Sequence, residues 1–244
     1  MAGRPSHRLA KAASLVACGL AAWGLAGCSM AHHARPVGKG NQVVHVSVGG
    51  PVAGVGEPSM LVPLTTVSFT YGATDRLDVY GGWHVLETFL NGGNAFFDVG
   101  ASYYWVDQAG LRPGVSTALT ISPLLNAAGG WLLIDLALTT SWTLDAADKH
   151  LVYLGCHNAM TPIRHSAIET PRYSWSPFVG WQGRLWEWVA VGAEVKWHRP
   201  YQSTTHSVTA FVAPGDQGAL AFLIGASFFL SGGDGGAEDT KVTP

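Results

Sequence analysis

From residue 42 onward the chain alternates. In WLLIDLALTTSWTL, residues 131–144, Leu132, Ile134, Leu136, Leu138, Thr140, Trp142 and Leu144 fall on one parity. Trp131, Leu133, Asp135, Ala137, Thr139, Ser141 and Thr143 fall on the other. A period of two belongs to a β-strand, whose successive side chains point to opposite faces. The same alternation, bounded by turn residues, predicts strands over 42–48, 61–72, 76–90, 95–107, 114–124, 131–145, 151–158, 174–184, 186–197 and 219–230. Several reach the roughly nine to eleven residues that a tilted strand needs to cross a bilayer.

The connections differ in length in a regular way. Those after the second, fourth, sixth and eighth strands are short (ATD, QAGLRPG, AADKH, LWE), whereas GGPVAGVGEPSM, HNAMTPIRHSAIETPRYS and HRPYQSTTHSVTAFVAPGDQG are long. An even strand number with short turns at one end and longer loops at the other is the pattern of a bacterial outer-membrane barrel. The expected fold is therefore all-β: an antiparallel up-and-down transmembrane β-barrel of about ten strands, with eight as the other count. An even count puts both ends of the barrel domain on the short-turn side.

The two faces have different chemistry. In the ninth strand Val189, Val191, Ala193, Val195 and Trp197 share one face, and Ala190, Gly192, Glu194, Lys196 and His198 the other. Polar faces elsewhere use Gly, Ala, Ser and Thr beside a few charges, which fits a narrow lumen. The residues expected to line it are Arg76, Asp78, His84, Asp98, Asp135, Arg184, Glu194, Lys196 and His198. Arg76, Asp78 and Arg184 belong near the short turns; Asp98, Asp135, Glu194 and Lys196 belong nearer the long loops, with His84 and His198 at the outer mouth. Buried carboxylates must be paired or hydrogen-bonded, so a salt-bridged plug is expected. Tyr103, Trp105, Trp131, Trp142, Trp186, Trp188 and Trp197 stand near strand ends, where aromatic girdles meet the lipid–water boundary.

Composition favours lipid as the outer environment. Charged residues make up 12% of the chain and Trp reaches 10, against about 25% charge in a soluble domain. Yet beyond the N-terminal segment no stretch approaches the roughly 18 apolar residues of a membrane helix. Three of the 14 Lys and Arg (Arg4, Arg8, Lys11) lie in the first segment, and the 16 Asp and Glu all lie after it. The remaining mild acidity speaks against nucleic acid as a partner.

The N-terminus carries its own signal. MAGRPSHRLAK is basic, AASLVACGLAAWG is apolar, and LAGC closes at Cys28, the layout of a secretory signal. LAGC resembles the lipobox of bacterial lipoproteins, which implies cleavage before Cys28 and lipidation of that cysteine. Ser29 in the following position implies delivery to the outer membrane, with the anchor on the periplasmic side. The expected organisation is a signal over 1–27, a flexible tether over 28–41, a barrel over 42–230 and a disordered tail over 231–244. In the tether, His32 and His33 read as a solvated pair. Cys18 leaves with the signal and Cys28 is acylated, so Cys156 stands alone as a bystander and no disulfide framework forms.

Two further stretches carry resemblances. YGATDRLDVYGGW, residues 71–83, is similar to the strand, tight turn and strand of outer-membrane meander barrels. GASFFL, Gly225 to Leu230, resembles the closing β-signal, which implies recognition by the barrel insertion machinery. It departs from that signal at Leu223, where a polar residue is usual, and in the tail that follows.

Three function classes follow from this reading. The first is a narrow or plugged pore, or an envelope structural element, without catalysis, whose partners are outer-membrane lipid and the insertion machinery. The second is an enzyme using His and acid groups at the outer mouth, where the loops add His157, His165, Glu169, His206 and Asp216. No motif of the omptin proteases or lipid A deacylases is present, and the histidines lack compact metal-ligand spacing. The third is a lipid-anchored binding protein, since Gly81, Gly82 and Trp83 resemble the Gly-x-Trp element of lipocalins. The first class is preferred, with no catalytic residue, metal or cofactor assigned.

Overall fold

A computed structural model describes residues 33–54, 60–61, 64–90, 95–126, 129–145, 147–163, 172–203 and 210–230. In chain order the elements are β1 (Gln42–Gly54), β2 (Met60–Leu61), β3 (Leu64–Gly72), β4 (Leu77–His84), the helix α1 (Val85–Leu90), β5 (Ala95–Val106) and β6 (Gly114–Asn126). There follow β7 (Gly129–Thr143), β8 (His150–Ile163), β9 (Tyr173–Trp186), β10 (Val189–Ser203), β11 (Ala210–Phe211), a 3-10 turn (Pro214–Asp216) and β12 (Gln217–Phe229).

Ten of these strands close into an antiparallel barrel. Each pairs with its sequence neighbour from β3 round to β10, β10 pairs with β12, and β1 closes the ring between β12 and β3. Val43 thus faces Phe229 on one side and Thr70 on the other. Closure leaves no free edge and satisfies the backbone of the wall internally. The short turns carry their own hydrogen bonds. Thr74 Oγ accepts from the N–H groups of Arg76 and Leu77, at 3.1 and 2.9 Å, and Asp145 Oδ1 accepts from Lys149 and His150, the local bonding that favours these residue types in turns.

Three features differ from the sequence expectation. The third predicted strand ends at His84, and residues 85–90 form α1. Val85, Leu86 and Phe89 follow a helical rather than a two-residue spacing; Thr88 Oγ donates to the His84 carbonyl at 2.7 Å and accepts from Trp83 Nε1 at 3.0 Å. Second, β1, β8 and β10 run past their predicted ends to Gly54, Ile163 and Ser203. The extension of β1 is flanked by β2 and β11, which pair with it at Val52 to Gly54.

The third difference is the N-terminal strap. Residues 33–41, expected as a solvated tether, turn into the short-turn end of the barrel, where His33 and Ala34 are buried. The turn over Gly38 to Asn41 lies on β3: Gly40 N–H donates to the Gly72 carbonyl at 2.8 Å and Gly72 N–H to Asn41 at 3.0 Å. A Cβ on Gly72 would sit 1.9 Å from the Gly38 oxygen, so only glycine permits this approach. The signal, Cys28, His32 and the tail after Leu230 lie outside the described residues.

The barrel wears its apolar residues outside. Val99, Leu119, Ile121, Leu136, Leu138, Leu154, Val179 and Ile224 are exposed, with Val99 at 62%. Aromatic side chains border this belt: Tyr71, Tyr103, Trp105, Trp186 and Trp188 toward the short turns, and Trp83, Phe97, Tyr173, Trp175 and Tyr201 toward the loops, all exposed. On β5, Phe97 and Trp105 bracket the belt. At about 3.4 Å per residue and about 40° of tilt their separation is about 21 Å, close to the ~25 Å apolar band of membrane barrels.

Inside, aromatic rings lie flat on glycines of the neighbouring strand. Tyr80 covers Gly100 and Tyr153 covers Gly180, where an added Cβ would fall 2.3 Å from Tyr153 Cζ. The missing side chains make room for the rings, so the lumen is filled by its own wall.

Candidate functional site

The polar interior is the site. Asp78, His84, Asp98, Asp135, Glu194, Lys196 and His198 are all buried, each at 7% exposure or less. Arg76 and Arg184 are not with them. Arg76 precedes β4, in a turn, and its half-exposed guanidinium meets Asp107 Oδ2 at 2.7 Å. Arg184 lies beside a register shift between β9 and β10, where Gly183 rather than the next parity position is buried. Its guanidinium covers the Phe229 ring at 4.4 Å and donates to the Glu187 carbonyl. Strand parity holds only within an unbroken ladder, and both arginines stand where the ladder ends or slips.

Three polar clusters occupy the lumen. In the first, His84 Nε2 lies 2.9 Å from Asp98 Oδ2, Ser122 Oγ donates to Asp98 Oδ1 at 2.5 Å, and Thr66 Oγ lies 3.4 Å from His84 Nδ1. In the second, His157 Nδ1 lies 2.5 Å from Asp135 Oδ2. In the third, Tyr153 donates to Glu194 Oε2 at 3.2 Å and Lys196 Nζ lies 3.3 Å from Glu194 Oε1. The Phe178 ring joins the last two, 4.8 Å from the His157 ring and 5.9 Å from Lys196 Nζ. Tyr80, bonded to Thr120 Oγ at 2.7 Å, adds a further hydroxyl pair on the neighbouring strands. One ammonium and two imidazoles thus face three carboxylates, which is the pairing that buried acids require.

The connectivity hydroxyl, imidazole, carboxylate at Thr66, His84 and Asp98 is that of a proton relay. Here all three side chains are buried at 3% exposure. Acyl transfer would need a reacting carbonyl within reach of the hydroxyl, and the ring of Phe96 lies 4.1 Å from the His84 ring. The cluster's bonds satisfy Asp98. Among the described residues no three His, Cys, Asp or Glu side chains come together as a metal site.

His157 sits in β8 and is buried rather than in a loop. Its parity with Leu151, Tyr153 and Ala159, all buried, was the available signal. His165, Glu169 and His206 lie outside the described residues, and Asp216 is exposed in the 3-10 turn. Parity puts Thr66, Ser122 and Tyr153 on the inner face without saying which group each one bonds, and it carries no sign of the strap. The strap adds contacts at the short-turn end: Val37 N–H donates to Asp78 Oδ2 at 3.1 Å, Gln182 Nε2 lies 3.1 Å from His33 Nδ1, and Arg35 donates to Gln108 and meets Asp148 at 3.6 Å. Beside it, a cavity of about 520 Å³ opens between Arg35, Arg76, Tyr104, Asp107, Gln108 and Asp148.

The sequence matches no protein-family model and no curated protein. Among solved structures, it is similar to an outer-membrane channel from Pseudomonas putida F1, at 10% identity and a TM-score of 0.48, covering 80% of this chain and 97% of that one. The NanC porin aligns at 7% identity and a TM-score of 0.43, covering 77% and 98%. The outer membrane protein OprG from Pseudomonas aeruginosa aligns at 10% identity and a TM-score of 0.32, covering 81% and 99%.

Proposed function

We propose that the protein is a lipid-anchored outer-membrane β-barrel whose lumen is plugged by its own side chains, an envelope element or narrow pore without catalysis of its own. The observation that carries this reading is the inverted polarity of the barrel: Leu136 and Leu138 are each 48% exposed while Asp135, beside them on β7, is 5% exposed. Placed in water, such a barrel would expose an apolar band; placed in a bilayer, that band meets lipid while the carboxylates keep their partners inside the lumen. A lipocalin-like cup needs the opposite arrangement, an apolar cavity within a charged exterior.

Cys28 is the proposed attachment point of the lipid, and outer-membrane lipid and the barrel insertion machinery are the proposed partners. The test is a Cys28→Ala form exported through a cleavable signal. It should need detergent to leave the membrane fraction and should show heat-modified gel mobility. A form freely soluble in buffer would overturn the membrane reading. Mass spectrometry of the natural chain should find a diacylated or triacylated Cys28; an unmodified thiol there would remove the anchor while leaving the barrel.

A further inference from the structure

The strap does more than enter the barrel; it packs across one end of the polar interior. Ala34 packs in one cluster with Leu151, Tyr153 and Phe178, and its carbonyl accepts from Ser116 Oγ at 3.4 Å. Tyr153 and Phe178 are the rings against which Glu194 and Lys196 rest. His33 lies 5.9 Å from the His45 ring and 6.2 Å from the Phe229 ring, and His45 bonds Ser227 on the closing seam. Four strap residues, His33, Ala34, Arg35 and Val37, therefore touch β1, β4, β6, β8, β9 and β12 or the turns between strands.

Its attachment is nonetheless polar and shallow. Ala34 is the strap's one apolar side chain in a buried cluster, and Arg35 is paired beside an open cavity. The hydrogen bonds to Val37, Ala34 and Arg35 could all be replaced by water if the strap left. What departure would expose is unequal in charge: Asp78 in the mouth, with Asp148 and Asp107 at its rim, loses the strap's Arg35.

We propose that residues 33–37 are a built-in stopper that closes the short-turn mouth of the barrel, and that its withdrawal admits water and cations to the layer of Tyr153, Glu194 and Lys196. The proposal rests on the membrane-barrel reading above. It also gives the lipid anchor a mechanical meaning, because Cys28 precedes His33 by five residues, at most about 18 Å of extended chain. An acyl group so close to the stopper would hold the strap at the barrel rim and couple its position to the leaflet.

The experiment is thiol labelling of the full mature chain in lipid nanodiscs, which leave both mouths open to the reagent, with Cys156→Ser to remove the free thiol and Ser116→Cys as a reporter beneath the strap, where the Ser116 hydroxyl meets the Ala34 carbonyl. The probe is a cationic methanethiosulfonate, which transfers its alkylthio group to the reporter thiol and releases a sulfinate. With the strap in place labelling should be slow, and deletion of residues 33–37 should speed it at least tenfold. Equal rates in two forms that are both heat-modifiable would overturn the stopper. Loss of membrane insertion in the parent itself would instead strike the membrane-barrel reading.

Discussion

His157 on β8 and Asp135 on β7 meet at 2.5 Å although they are not opposite each other in the ladder: Asp135 faces Ala159, and His157 faces Ala137. The contact is a diagonal one. His84 on β4 reaches Asp98 on β5 in the same manner, since Asp98 faces Gly82. Diagonal neighbours across a pair lie within reach of long side chains, and in each case the residue directly opposite the carboxylate is Gly or Ala, which leaves the imidazole room.

A double-mutant cycle on the first pair measures this relationship. His157→Leu should cost about 3 kcal/mol, because it leaves a buried carboxylate without its hydrogen-bond partner. The double change His157→Leu, Asp135→Leu should cost less than His157→Leu alone. The urea midpoint of folding in lipid vesicles gives both values, and additive losses would show that the two side chains act independently.

Leu136 stands next to Asp135 in the chain but on the exposed face. Leu136→Arg should cost about 2–4 kcal/mol if it lies near the bilayer midplane, read by the same midpoint. An Arg there that leaves folding into vesicles unchanged would place that face away from lipid.

Gly180 is required by the ring that covers it. Gly180→Ala should destabilise by about 1–3 kcal/mol, the usual cost of overpacking, since its Cβ would meet three Tyr153 atoms within 2.7 Å. In a Tyr153→Leu background the same substitution should lose at least half of its effect. An unchanged penalty would mean that the backbone, not the ring, demands glycine.

Arg76 pairs with Asp107 outside the lumen, with side-chain exposures of 49% and 62%. Exposed pairs contribute about 0–1 kcal/mol, so Arg76→Ala should shift the midpoint slightly and leave heat-modified mobility intact. A loss as large as that of His157→Leu would return Arg76 to the interior network.

Much of the wall was legible because its code is local. Alternation needs only the residues of one strand, and it separates Asp135 from Leu136 and Glu194 from Val195 without reference to any other part of the chain. It also announced its own failures poorly: Arg76 and Arg184 keep the parity of their neighbours in sequence, and only the turn before β4 and the slip beside Val189 remove them from it. Residues 85–90 show the same limit, since alternation up to His84 gives no sign of the helical spacing that follows it.

The sequence by itself pointed to about ten wall strands, to the alternation of short and long connections and to the apolar exterior, because these follow from the period of the chain and from turn residues acting on their neighbours. Tertiary structure decided which groups meet. The contacts of Val37 with Asp78 and of His33 with Gln182 join residues 41 and 149 positions apart, and the His–Asp diagonals depend on how far each strand is sheared against the next. Shear is a property of the closed ring. A strand's own sequence carries its two faces, but the height at which one side chain meets another exists only once the last strand has paired with the first.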